Sequence, residues 1–359
     1  MKIALDLRML IEPPDGISRY ALELLRGLPK ELPFAEVLAV GDRDRIARQL
    51  GAQQRVLAAR TSSISLAEQL ELPALLYREA VDVFHATLFV APALYHRPCV
   101  LTLHDVNYMV LPQLYGQHRK LYFQTAVRLF AKQAKAIVTV SDFSRREIEQ
   151  HLKIPAERVE VIGNGVDPRF RPASREALQQ FREEKGLPAE YLLYVGSYAP
   201  HKNVPTLLRA YARLEDAPPL VLCGRNPETI RAEVEALGLG SRVVLFPASN
   251  DEELPLLYSG ATLFVFPSRY EGFGLPPLEA MACGTPVIAA NAGSLPEVTD
   301  GAAVLFMPDD DVALANRIGE LLGSSDKRAE LAMRGRVRAA QFTWESSVQR
   351  HAAIYRRVA

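Results

Sequence analysis

The chain opens on an apolar run, Lys2–Leu7, and such runs recur at Val37–Val40, Asp82–Ala86, Cys99–Leu103, Ala136–Val140 and Val159–Ile162. They are continuous rather than alternating, the pattern of strands buried on both faces of a parallel sheet. Helical patterns lie between them, as at Ile17–Leu28 and His118–Lys135. The stretch Gly163–Pro168, rich in Gly, Asn and Pro, reads as a turn or linker. Beyond it the alternation restarts with strands at Tyr191–Val195, Leu220–Cys223, Val243–Phe246, Leu263–Phe266, Pro286–Ala289 and Ala303–Phe306, and helices such as Val204–Leu214, Pro227–Gly238 and Glu252–Ser259. Strands alternating with helices predict parallel sheets covered on both faces. We therefore expect two doubly wound α/β domains, residues 1–168 and 169–342. A last helix spans about Trp344–Val358, with Trp344, Val348, Ala352 and Tyr355 at helical spacing. Segment 343–359 is expected to return to the first domain, although the sequence alone fits equally a cap on the second.

Composition narrows the function classes. A length of 359 residues suits two domains. Forty-two basic and forty-two acidic side chains cancel, so a general nucleic-acid binder is not expected. Cys99, Cys223 and Cys283 are few, odd in number and far apart, which points to a reducing compartment without a disulfide framework. No cluster has zinc spacing, and we expect no metal. There is no apolar run of about 18 residues and no signal-peptide pattern at the start, so the expected location is cytoplasmic.

The most informative stretch runs from Pro267 to Val287 and reads PSRYEGFGLPPLEAMACGTPV. A strand ends, a glycine-rich turn follows, then two prolines, then a short helix. Proline is favoured in the first helical turn, and Gly284 with Pro286 stops the helix. A helix N-terminus after the carboxyl end of a strand is where open α/β sheets bind ligands. Free amides near Phe273, Gly274 and Leu275 suit an anionic group such as a diphosphate. Glu271 falls in the turn and Glu279 in the expected first helical turn. Carboxylates there suit a ligand rich in hydroxyls.

This string closely resembles the donor-site motif of glycosyltransferase family 4, whose members have the GT-B fold of two Rossmann-like domains facing a cleft. All fixed positions of the family pattern E-G-F-G-L-P-x-L-E-A-M-A-x-G-T-P-V are present. The resemblance implies that Glu271 contacts hydroxyls of the transferred sugar near its anomeric carbon. It implies that Glu279 holds the ribose, and that amides at Phe273, Gly274 and Leu275 meet the diphosphate or sugar. The segment from Gly196 to Asn203 resembles a second family element, G-x-x-x-P-R-K-N, with His201 in place of the usual arginine. Lys202 there would neutralise the leaving diphosphate. Gly16 lies in a loop that would meet phosphate, although Asp15 stands where the family typically has a second glycine. His104, in a His-Asp pair ending a buried strand, would contact the transferred sugar. His85 has a weaker claim of the same kind. Ser141 and Ser144 read first as helix caps.

The resemblance implies a retaining, metal-independent hexosyltransferase with no cofactor beyond its donor, a nucleotide-diphosphate sugar. GDP-mannose is favoured and a UDP-sugar is the other candidate, because the PxxGISRY start looks most like bacterial mannosyltransferases of surface-polysaccharide assembly. The expected acceptor is a glycan or lipid-linked. From Val106 to Ser141 there is no acidic residue, and Arg119, Lys120, Arg128, Lys132 and Lys135 fall in that interval. With Phe123, Val127, Leu129 and Phe130 nearby, it reads either as a solvated helix face or as a peripheral contact with an anionic membrane. Competing readings are an epimerase of the same fold and a sugar-nucleotide binding protein without transfer. A dinucleotide enzyme is disfavoured, since no G-x-G-x-x-G follows the first strand.

Overall fold

A computed structural model describes residues 1–61, 65, 67–111, 117–247, 250 and 252–359; within it the side chains of residues 117–120 and 122 are not described. The chain divides into two compact units, Met1–Gly165 with Thr343–Ala359, and Val166–Phe342.

Unit 1 is built on seven parallel strands, counted among the described residues: β1 (Lys2–Asp6), β2 (Glu36–Gly41), β3 (Val56–Ala58), β4 (Val83–Ala86), β5 (Cys99–Thr102), β6 (Ala136–Thr139) and β7 (Val159–Val161), ordered β3-β2-β1-β4-β5-β6-β7. The three-residue edge strand β3 is too short to stand out in the sequence pattern. Successive residues of each strand enter opposite cores. Ala4, Phe84, Leu101 and Ile137 face one layer. Ile3, Leu5, Val83, Val100 and Val138 face the other, together with Trp344, Val348, Ala352 and Tyr355 of the last helix, Trp344–Val358. That helix packs on the first, Gly16–Glu31, at a glycine: a Cβ on Gly27 would come within 2.6 Å of the Val348 side chain. The return of the chain also needs a glycine. A Cβ on Gly165 would lie 2.1 Å from the Trp344 nitrogen.

Unit 2 has six parallel strands among the described residues, β8 (Leu192–Val195), β9 (Leu220–Gly224), β10 (Val243–Pro247), β11 (Leu263–Phe266), β12 (Val287–Ala290) and β13 (Val304–Phe306), ordered β10-β9-β8-β11-β12-β13. In both units the order reverses beside the first strand, between β1 and β4 and between β8 and β11. At such a switch point the loops leave in opposite directions and open a crevice beyond the carboxyl ends of the strands. Cys99, Cys223 and Cys283 are buried free thiols. No described helix is long and apolar enough to cross a membrane.

Candidate active site

The switch point of unit 2 gathers most of the residues that the sequence singles out. After β8 the chain makes a tight turn, Pro200–Lys202, and Asn203 in the left-handed region (φ 58°) leads into the helix Val204–Ala212. After β11 it forms the loop that carries Glu271. The two loops are stitched together by backbone contacts. The Arg269 amide donates to His201 O at 2.8 Å, Ser268 Oγ donates to the same oxygen at 3.2 Å, and the Arg269 guanidinium donates to Pro200 O at 3.2 Å. The result is an ion pair: Lys202 Nζ lies 2.7 Å from Glu271 Oε1, with the side chains 19% and 13% exposed. Lys202 also stands 5.6 Å from the centroid of the Phe266 ring. A partly exposed pair of this kind keeps its charge within reach of a ligand.

The helix that follows, Leu275–Ala282, is entered through Gly274 at φ 99°. Pro276 and Pro277 remove two of the first-turn amides. The anion-binding capacity of this helix end therefore rests on the amides before the prolines. Those of Phe273 and Gly274 have no hydrogen-bond partner among the described residues. Glu279 does not sit in the first turn as its spacing suggests, because the helix already begins at Leu275 and its first turn holds no acidic residue. It is 7% exposed and accepts from the Tyr258 hydroxyl at 3.0 Å. The two glutamates thus have different partners.

The sequence pattern did not flag the residues that shape the Glu271 loop. Gly293 and Ser294 follow β12. Ser294 Oγ donates to Phe273 O at 2.7 Å, and its amide donates to Glu271 O at 3.2 Å. Gly293 has φ 61°, and a Cβ there would lie 2.8 Å from the Glu271 nitrogen. Their signal was available: Ala-Gly-Ser-Leu-Pro-Glu repeats the strand, glycine, proline, helix order of the main motif. Gly196 has φ 157°, and a Cβ on its neighbour Gly224 would lie 2.2 Å from Gly196 O, so the ends of β8 and β9 approach too closely for side chains. His201 is half-buried, and its Nδ1 is a buried atom without a partner. Burial, then Lys202, pushes its pKa below the ordinary value. At neutral pH His201 is uncharged, so it does not replace the charge of an arginine.

The remaining candidates lie in unit 1. Gly16 opens the first helix in an exposed position, and Asp15 caps that helix by accepting from the Ser18 amide at 2.9 Å. One first-turn amide is therefore already taken by a carboxylate. His104 follows β5; its Nε2 lies 3.0 Å from Thr87 O, and Ser144 Oγ donates to its carbonyl at 3.0 Å. Ser141 caps the helix Asp142–Leu152. His85 has both ring nitrogens committed, to Tyr355 and Thr102, and is fully buried, so it is not available to a ligand. In the basic interval, Phe123, Val127 and Phe130 belong to the core. Arg128 donates to Leu152 O at 2.8 Å and to His151 O at 3.4 Å. The side chains of Arg119 and Lys120 lie outside the described residues. Leu121, Leu129, Lys132 and Lys135 are exposed.

Comparison with known proteins identifies the family and the fold. Residues 176–338 match the model "Glycosyl transferases group 1", and residues 14–170 match "Glycosyltransferase Family 4". The chain is 32% identical to O-antigen chain mannosyltransferase B of Escherichia coli, covering 96% of this chain and 97% of the relative. It is 36% identical to the D-inositol 3-phosphate glycosyltransferase of Mycolicibacterium smegmatis over 56% of this chain and 48% of that protein. Among solved structures, Anabaena Alr3699/HepE in complex with UDP-glucose aligns over 100% of both chains with a TM-score of 0.82 at 22% identity. The sucrose-phosphate synthase of Thermosynechococcus elongatus aligns over 99% and 98% with a TM-score of 0.82 and 22% identity.

Proposed function

The chain belongs to glycosyltransferase family 4, with the GT-B fold, and on that premise we propose that it moves a hexose from a nucleotide-diphosphate sugar to a glycan or lipid-linked acceptor, with retention and without a metal ion. The observation that carries this reading is the Lys202–Glu271 pair beside unpartnered amides at the β8/β11 switch point. As the bond to the leaving phosphate breaks, negative charge grows on the diphosphate and positive character on the sugar. Lys202, the Phe273 and Gly274 amides and the helix dipole offer fixed compensation for the former. Released from Lys202 as the diphosphate claims that ammonium, Glu271 accepts from sugar hydroxyls and orients the ring. Glu279 holds the ribose, and His104 accepts from a hydroxyl of the transferred sugar. Because His201 is neutral at pH 7, Lys202 is the dominant cationic group in this scheme.

Mannose is the favoured sugar and GDP-mannose the favoured donor, supported by the mannosyltransferase relative. Structural neighbours holding UDP and UDP-glucose keep a UDP-sugar as the alternative. The test is sugar transfer by wild type, Glu271→Ala and Lys202→Ala, with GDP-mannose and UDP-glucose compared. Each variant is expected to lose at least about tenfold in turnover, near 1.4 kcal/mol. Wild-type rates in both would sink the assignment. We also propose that the exposed side of the helix Gln117–Gln133 rests on an anionic membrane, with Leu121 and Leu129 inserted beside Lys132. Failure of the protein to float with anionic vesicles would exclude this contact.

A further inference from the structure

Unit 1 holds a line of buried polar side chains that the scheme above does not use. It joins the helices Gly16–Glu31 and Trp344–Val358 to β4 and β5. His351 Nδ1 lies 2.7 Å from Ser347 O, and its Nε2 lies 2.8 Å from the Tyr20 hydroxyl. That hydroxyl lies 2.8 Å from Thr102 Oγ1, which lies 2.7 Å from His85 Nε2. His85 Nδ1 lies 2.6 Å from the Tyr355 hydroxyl. Tyr20, His85, Thr102, His351 and Tyr355 are all 0% exposed.

One fixed end determines every proton in this line. A carbonyl only accepts, so His351 carries its proton on Nδ1. Burial pushes its pKa down to about 4, which leaves Nε2 a bare acceptor at pH 7. Tyr20 therefore donates to His351, and its oxygen accepts from Thr102. Thr102 in turn accepts from His85 Nε2–H. Burial also keeps His85 neutral, so its Nδ1 accepts from Tyr355. All five groups are satisfied in a single direction, and such a network rigidifies what it joins.

The Tyr20 ring is the part of this line that meets His104, a candidate residue of unit 1. It lies edge-on to the His104 imidazole, with centroids 4.8 Å apart and planes at 88°. His104 spends its Nε2–H on Thr87 O, and burial pushes its pKa down to about 4. Its Nδ1 is then a bare acceptor with no partner among the described residues. Such a nitrogen takes a hydrogen bond from a hydroxyl and offers nothing to a phosphate oxygen.

We propose that Tyr20, locked by Thr102 and His351, is a positioning residue that fixes the His104 ring so that Nδ1 receives a hydroxyl of the donor sugar. The proposal rests on the reading of His104 as a sugar contact. It also gives the last helix a role in the site, since His351 supplies one of the two anchors. Two measurements test it. Imidazole nitrogen shifts in histidine-labelled protein should show neutral rings at pH 7, with the proton on Nε2 of His85 and His104 and on Nδ1 of His351. In Tyr20→Phe, which keeps the ring and loses both anchors, the His104 signals should move. Donor turnover should fall about three- to tenfold at nearly constant KM, and this loss should vanish in a His104→Ala background. Thr102→Val, close in shape, should behave in the same way and serves where Tyr20→Phe does not fold. Equal losses with and without His104, unmoved His104 signals, or a His104 protonated on Nδ1 would each overturn the proposal. A wild type without transfer activity would sink the functional reading alone, and the nitrogen shifts would still decide the positioning.

Discussion

The two units have the same strand order at their centres and use it in opposite ways. At the β8/β11 switch point of unit 2, Lys202 and Glu271 pair while 19% and 13% exposed, beside amides without partners. At the β1/β4 switch point of unit 1, Arg8 pairs with Asp6 and Glu68, each at 2.7 Å, and the side chains are 3%, 8% and 0% exposed. Thr87, just beyond β4, donates to Asp6 O. The charges of unit 2 are available to a ligand. Those of unit 1 are consumed in holding the loop after β1 to the helix Glu68–Arg78. One topology thus offers an ionic site in one half and a closed scaffold in the other, where the chemistry passes to neutral groups such as His104.

Breaking the closed cluster should have the largest effect. Arg8→Met leaves two carboxylates buried without their cation, and the removal of one partner from a buried ionic group costs about 3–5 kcal/mol. Urea unfolding followed at Trp344, the chain's single tryptophan and a buried residue of unit 1, should show a loss of that order. Lys202→Met should cost far less, because a partly exposed pair is worth little to stability. Equal losses would erase the contrast between the units.

The contrast explains what the sequence could tell. In unit 2 the chemistry is contiguous: Glu271 to Glu279 lie on one loop and the helix after it, so a single string carries them, and Lys202 sits in a second string. The strand pattern was plain in both units apart from the short edge strand β3, because buried parallel strands are continuous apolar runs. What stayed hidden depends on contacts between distant segments. Tyr20 meets His351 across 331 positions, and Arg8 meets Glu68 across 60. Gly293 looks like any loop glycine until its approach to Glu271 is known. The spacing of Glu279 was visible but its helical turn was not, since the helix starts at Leu275, ahead of the prolines, and its first turn closes before Glu279.

Acidification should act on unit 1 next most strongly. Burial pushes His104 and His351 down to about 4, against the hydrogen bond to Thr87 and the charge of Asp15 on His104 and against the hydrogen bond to Ser347 on His351, where Arg350 acts with burial. In the unfolded chain both take up protons near pH 6.5. Between about pH 4 and 6.5 the unfolded state therefore binds more protons, and stability rises with pH across that window. Lowering the pH from 7 to 5 should remove about 2 kcal/mol for each of these two rings, ~4 kcal/mol together, from the unfolding free energy read at Trp344. A free energy that does not change over this range would mean that these rings are charged in the fold.

The smallest effect sharpens the comparison on the side of unit 2, because it tests whether an open charge pair still depends on exact backbone support. Gly293 occupies φ 61°, where a side chain is strained, and its Cβ would press on the Glu271 nitrogen and oxygen at 2.8 and 2.9 Å. Backbone atoms cannot swing aside as a flexible side chain can, so Gly293→Ala must move the loop that presents Glu271. The Ser294 hydrogen bonds to Phe273 O and Glu271 O would shift with it. Turnover should fall by about tenfold, near 1.4 kcal/mol, since displacements of this size disrupt reacting geometry. Ser294→Ala, which keeps the backbone and loses one hydrogen bond, should cost less than Gly293→Ala. If Gly293→Ala kept full activity, Glu271 would be placed by Lys202 alone, and the support from β12 would be incidental.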